Sequence, residues 1–195
     1  MKTETKPATT AVSETLKVAG PKHPLVWTAL LLAAVLCALF WQSFLPNKVV
    51  FGNDDPLGQM VAEQNAMPST LTGAWADISW LGSEMLSPSP TITTTLRLLT
   101  TPRGFLNIFY PAALFIVGIC ACFCFRQFKL TPLACILGGL AAALNSDFFS
   151  TACWGVATQV IGIGADYLAL GLLAGDTKPG RRWIRAMLAG MAVGM

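Results

Sequence analysis

The sequence predicts an all-α polytopic integral membrane protein, and three observations lead to this fold class. Of the 195 residues, 54% are hydrophobic and only 12% are charged, whereas soluble domains carry about 25% charged residues. Uncharged apolar runs of membrane-spanning length recur along the chain. Lys and Arg are concentrated in three short intervals outside these runs. Because these intervals form no continuous basic face, we expect no nucleic-acid partner.

The first elements are a basic tail and one span. Residues 1–24 are rich in Lys, Thr and Ala, which predicts a disordered cytoplasmic tail. Residues 25–45 contain no charge and carry Trp27 and Trp41 near their two ends. Amphipathic indole rings favour the membrane interface, so this run predicts the first transmembrane helix.

A long extracytoplasmic loop is expected at residues 46–104, with short helices that lie along the membrane surface. Asp55 followed by Pro56 predicts the N-cap and the first position of one such helix. Apolar residues at helical spacing after Pro56 give this helix an amphipathic face. Another short helix is expected at residues 91–99.

Four spans in total are predicted, together with the start of a fifth. Asn145-Ser146-Asp147 marks the turn between the third and fourth spans. Basic residues are concentrated in the tail, at 126–129 and at 178–185, which places these intervals on the cytoplasmic side. An apolar stub after a basic loop indicates the N-terminal part of a longer protein, with further C-terminal spans as partners. The later spans are expected at 105–125, 130–149 and 153–174, and the fifth begins at 186–195.

Two neighbouring acids follow the first span. Asp55 has a local role as a helix cap, but Asp54 has none. A carboxylate beside a membrane surface can bind a divalent cation or act as a general base. The alternative for Asp54 is a solvated turn residue.

The stretch Gly52-Asn53-Asp54, with Gln59 five residues after the acid, follows a first span and opens a loop with surface helices. This layout resembles the start of YfhO-type membrane proteins, which belong to the GT-C class of glycosyltransferases. The resemblance implies sugar transfer from a polyprenyl-phosphate donor on the outer side of a bacterial inner membrane. It implies Asp54 as the essential catalytic carboxylate, serving as a base or as a metal contact, with Asp55 and Gln59 as supporting residues. It also implies a divalent cation, Mg²⁺ or Mn²⁺, whose ligands stay open.

Two other features offer alternative functions. Trp75, Asp77 and Trp80 form a candidate substrate-binding patch, in which an indole stacks on a sugar or anchors the loop at the interface. A non-catalytic membrane scaffold would use this Trp-rich loop to bind a partner. Asp166 interrupts the fourth span, and intramembrane acids often mark function. A transporter or channel subunit would therefore be centred on Asp166, and a plain packing contact is the alternative.

Overall fold

The described part of the chain is almost entirely helical. The computed structural model describes residues 21–54, 56–66, 75–76, 82–84, 96–97, 99–175 and 179–194. The predicted α-helical class is confirmed, with one small addition, an antiparallel pair of two-residue strands. The elements are α1 (Pro24–Leu39), a 3₁₀ turn (Trp41–Phe44), α2 (Leu57–Asn65), β1 (Trp75–Ala76), β2 (Ser83–Glu84), α3 (Pro102–Gln127), α4 (Pro132–Ala143), α5 (Ser146–Thr151), a π-helical turn (Ala152–Val156), α6 (Ala157–Ala174) and α7 (Pro179–Val193).

The central helix is α3, which packs against α1, α4 and α6. It begins earlier than the predicted span 105–125 because the Thr101 hydroxyl caps it, accepting the Gly104 amide at 3.1 Å. Pro102 follows at the first helical position, where its missing N–H carries no penalty. Tyr110, Leu114 and other large side chains of α3 are fully buried.

Glycines allow the neighbouring helices to approach α3 closely. A Cβ on Gly164 of α6 would lie 3.3 Å from the Val117 Cα, and a Cβ on Gly171 would lie 3.0 Å from the Cys124 Cα. The contact advances by seven residues on both helices, so α6 runs parallel to α3.

The α4 helix runs in the opposite direction. Gly138 lies at the Phe125 ring, whereas Ala143 lies at Gly118, nearer the start of α3. The α4 helix is therefore antiparallel to α3, and the chain reverses between α4 and α6. Asn145 starts the helix after this reversal, since its side chain accepts the Asp147 amide at 2.8 Å.

Two helical stretches of the described residues are long and apolar enough to cross a membrane, by length and composition alone. They are Pro102–Gln127, with 26 residues, and Pro132–Ala174, with 43 residues. The second stretch is folded back on itself, because it contains both α4 and α6. The α4 helix has 12 residues and a length of about 18 Å. It therefore has fewer residues than the third span, which was predicted at 130–149.

Two other predicted boundaries differ from the structure. The first span, predicted at 25–45, is a 16-residue helix that ends at Leu39, and a 3₁₀ turn follows it. The α7 helix begins at Pro179 instead of at residue 186, so Arg181, Arg182 and Arg185 lie within a helix and not in a loop. Pro at a first helical position starts helices, and the Arg, Met, Leu and Ala residues that follow favour them.

Several predictions fall wholly or partly outside the described residues. Residues 1–20 of the predicted tail and the Asp55 cap lie outside them. The helix after Asp55 is present, but it starts at Leu57 with Pro56 as its N-cap residue. Its Met60 side chain is buried in the main core. Of the helix predicted at 91–99, Leu96, Arg97 and Leu99 are described and helical.

Candidate functional site

Polar contacts with the first turns of α3 hold the segment that follows α1. Asn107 is buried in α3, and its Oδ1 accepts the Val50 amide at 3.2 Å. Its Nδ2 donates to the Lys48 carbonyl at 3.3 Å. One turn earlier, Arg103 Nη2 donates to the Leu45 carbonyl at 2.9 Å. The Asn107 amide thus offers one donor and one acceptor to the extended backbone, and it fixes the path of the chain towards Asp54.

Gly52 is the point at which this segment comes closest to the bundle. The residue is buried, and a Cβ there would overlap the hydroxyl oxygen of Tyr110. The same Cβ would lie 3.4 Å from the Cα of Gly155. Because both neighbours belong to packed helical segments, any larger residue at position 52 has to displace the loop or the helices.

The two residues after Gly52 are held by a single backbone oxygen. The Trp154 carbonyl accepts the Asn53 amide at 2.8 Å and the Asp54 amide at 3.0 Å. Trp154 lies in the π-helical turn Ala152–Val156, where Gly155 has a φ of 112° and interrupts the helix. Interruption of the regular ladder leaves this carbonyl to accept hydrogen bonds from the loop. Single π-helical turns of this kind often occur at functional sites.

Asp54 presents an exposed carboxylate on this fixed backbone. The Asn53 Nδ2 donates to its Oδ1 at 3.1 Å, and the described contacts leave Oδ2 open. The backbone geometry is therefore fixed, while the acid itself faces outwards.

The structure does not bring Gln59 to Asp54. Gln59 Nε2 donates to Glu63 Oε1 at 3.0 Å, one turn further along α2. The other oxygen of Glu63 lies 3.3 Å from Arg97 Nη2. The Arg97 guanidinium in turn lies 5.7 Å from the ring centre of Phe105 in α3. Gln59 thus belongs to a chain of contacts that connects α2 to α3.

The predicted aromatic patch is described only at Trp75. Its indole is 64% exposed, and its backbone pairs with Glu84 in the small hairpin. Gly82 has a φ of 94°, and a Cβ there would collide with the indole. Asp77 and Trp80 lie outside the described residues. No contact among the described residues joins Trp75 to Asp54.

Asp166 lies within α6 and is exposed. Its side chain faces away from α3, which contacts α6 through Gly164 and Gly171. The described helices therefore form no enclosed path around Asp166, and the transporter alternative stays a prediction.

The divalent cation that the resemblance implies stays a prediction. No group of three or more His, Cys, Asp or Glu residues lies together in the part of the chain that the structure describes. In the docked loop, which comprises residues 45–54, the described residues contribute one carboxylate, that of Asp54. We therefore derive no chemical step through a metal ion.

The structure adds three residues to this site that the sequence did not single out. Asn107 and Tyr110 are polar side chains within an apolar run, a local signal that could have marked them. The contact of the Trp154 carbonyl has no such signal, since every residue has a backbone carbonyl. Comparisons with known protein families, with curated proteins and with solved structures give no match. The geometry of the docked loop is therefore the basis for assigning a function.

Proposed function

We propose that the chain is an integral protein of a bacterial inner membrane and acts as a GT-C-like glycosyltransferase. In this proposal, Asp54 is the general base for sugar transfer from a polyprenyl-phosphate donor on the extracytoplasmic side. The observation that carries the proposal is the double hydrogen bond from the Asn53 and Asp54 amides to the Trp154 carbonyl. It fixes the backbone of an exposed acid without using the carboxylate.

The membrane arrangement that we propose has four spans and the start of a fifth. The α3 helix, with 26 residues, has a length of about 39 Å and is long enough to cross a hydrocarbon core of about 30 Å. The α1, α4 and α6 helices pack around it and supply the other spans. The α4 helix is only about 18 Å long, so the third crossing includes the residues up to 149. The α7 helix packs against α6 through Ala189 and Ala192 and starts the fifth.

The distribution of charge supports an orientation with Asp54 outside the cytoplasm. Arg126 lies in the last turn of α3 and Lys129 follows the helix, whereas Asp54 docks near its N-terminal end. The start of α1 lies at the basic end as well, because the Thr28 hydroxyl contacts the Cys122 sulfur at 3.2 Å. The Arg185 contact with Gln127 brings α7 and its arginines to this end. Basic residues favour the cytoplasmic side.

The chemistry that we propose for Asp54 is proton transfer. As the acceptor hydroxyl oxygen attacks the anomeric carbon, its proton moves to Oδ2 of Asp54. The bond between the anomeric carbon and the phosphate oxygen breaks, and the polyprenyl phosphate leaves with the electron pair. The side-chain Nδ2 of Asn53 donates to Oδ1 of Asp54 at 3.1 Å and so orients the carboxylate. Gln59 supports the site indirectly, through α2 and Glu63.

The test is a sugar-transfer assay with the full chain in proteoliposomes and a panel of polyprenyl-phosphate sugars. Asp54→Asn should lower turnover by about 100-fold or more, because a general base typically contributes that much. Asp147→Asn is the matched control, since Asp147 is another exposed acid, in the first turn of α5; it should retain the wild-type rate. Wild-type turnover in the Asp54→Asn variant, or no transfer by the wild-type protein from any donor, would contradict the proposal.

A further inference from the structure

One face of α6 carries polar and small side chains that the described helices leave uncovered. Its members are three or four residues apart, so they form one row along the helix. The α3 and α7 helices cover other faces of α6, through Gly164 and Gly171 and through Ala169. The row, called here the α6 outer row, consists of the exposed residues Gln159, Gly162, Asp166, Leu170 and Leu173.

This row is unsuited to contact with lipid. The argument rests on the membrane-spanning role of α6 that is part of the proposed function. In a span, carboxyl and amide side chains are unfavourable unless they face protein or water. Gln159 and Asp166 both lie on the row and have no hydrogen bond within the described structure. A row with two such groups therefore needs another polar surface against it.

Gly162 lies between these two polar residues and leaves room for a close neighbour. A Cβ at this position would meet nothing within 4 Å. In membranes, small residues let two helix backbones approach, and polar side chains beside them form hydrogen bonds across the interface. The spacing of the row, close to a repeat of 3.5 residues, is that of left-handed helix pairs.

We propose that the α6 outer row is the interface between two copies of this chain. The copies pack in parallel about a twofold axis along the membrane normal. Near such an axis each residue meets its own counterpart, so the row has to be complementary to itself. A Gln amide both donates and accepts, and so does a protonated carboxyl. Two Asp166 carboxyls that share one proton form a hydrogen bond, and no basic residue lies on the row to repel its copy.

The experiment measures association of the fluorescently labelled full chain in liposomes by counting photobleaching steps over a range of protein-to-lipid ratios. The wild-type protein should change from monomer to dimer as this ratio rises. Gly162→Leu should move the midpoint to at least about tenfold higher protein density, because it separates the helices and their hydrogen bonds. Asp166→Leu should have a similar effect, whereas Asp166→Asn should retain association, since an amide is also self-complementary.

Gly190→Leu is the matched control. Gly190 is also an exposed helical glycine with nothing within 4 Å of its Cβ position, but it lies on α7. It should leave the midpoint unchanged. A wild-type protein that stays monomeric throughout, associates only with a different protein, or responds to Gly190→Leu and not to Gly162→Leu would overturn the inference.

Resistance to alkaline carbonate extraction separates this outcome from failure of the proposed function. A protein that carbonate releases from the membrane contradicts both proposals. A protein that stays integrated but monomeric contradicts the dimer alone, and sugar transfer then tests the role of Asp54 independently.

Discussion

The two ends of the helical bundle hold their peripheral segments by different means. At the Asp54 end, the contacts of residues 48–54 are neutral: the Asn107 amide, the Trp154 carbonyl and the close approach of Gly52 to Tyr110. The charged Arg103 side chain binds only the start of this segment, at the Leu45 carbonyl. At the opposite end, a charged side chain makes the contacts. Arg185 Nη2 donates to the Gly171 carbonyl at 3.0 Å and to Gln127 Oε1 at 3.3 Å.

This difference bears on which charged group is available for chemistry. Arg185 uses its guanidinium to attach α7 to α6 and α3, so its charge has a structural role. Asp54 is attached through backbone amides, so its carboxylate is not needed to hold the loop. We therefore expect the Asp54 end to be sensitive to added volume, and the opposite end to be sensitive to the loss of a charged hydrogen-bond donor.

The largest stability effect is expected from Gly52→Val. The added side chain overlaps the Tyr110 hydroxyl, and inserting volume into a packed site costs about 1 to 3 kcal/mol. We expect the free energy of unfolding in detergent to fall by about 3 kcal/mol, at the upper end of that range. Sugar transfer should fall with it, because the Asp54 backbone loses its position.

Gly58→Val is the control for this substitution. Gly58 is exposed in α2, and a Cβ there meets nothing within 4 Å. This variant should unfold like the wild-type protein and retain transfer. Equal stability of the two variants would show that the loop is not docked as described.

A smaller effect, confined to the opposite end, is expected from Arg185→Met. Hydrogen bonds from a charged donor contribute about 1.5 to 3 kcal/mol, and the Met side chain retains part of the packing. We expect a loss of about 1 to 2 kcal/mol in the free energy of unfolding, with sugar transfer per folded molecule unchanged. Arg182→Met, at an exposed position on the same helix, should have no effect. Loss of transfer in Arg185→Met would remove the distinction between the two ends.

The sequence was most informative about α3. Its uncharged apolar run is long, and the predicted span differs from the helix only at the capped ends, where Thr101 and Pro102 act locally. The α7 helix was predicted poorly because the basic residues at 178–185 were interpreted as a loop, whereas the helix begins at Pro179. The third span was extended to residue 149 in the prediction in order to reach membrane-spanning length, past the turn predicted at Asn145, whereas α4 ends at Ala143, before that turn.

At the candidate site, the sequence identified the exposed acid but not what positions it. Asn107 and Trp154 meet the loop from positions more than fifty residues away, and no local pattern specifies such contacts. The orientation of Gln59 was predictable, since Gln59 and Glu63 are four residues apart on a helix and side chains at that spacing meet. The prediction that Gln59 supports Asp54 came from the resemblance alone.

The central claim, that the backbone at Asp54 is fixed to the bundle, is tested most directly by amide hydrogen exchange in the reconstituted protein. We predict that the Asn53 and Asp54 amides exchange at least about 100-fold more slowly than unstructured amides, because both are bonded to the Trp154 carbonyl. In Gly52→Val, both should approach the unstructured rate. Exchange of both amides at the unstructured rate in the wild-type protein would contradict the account.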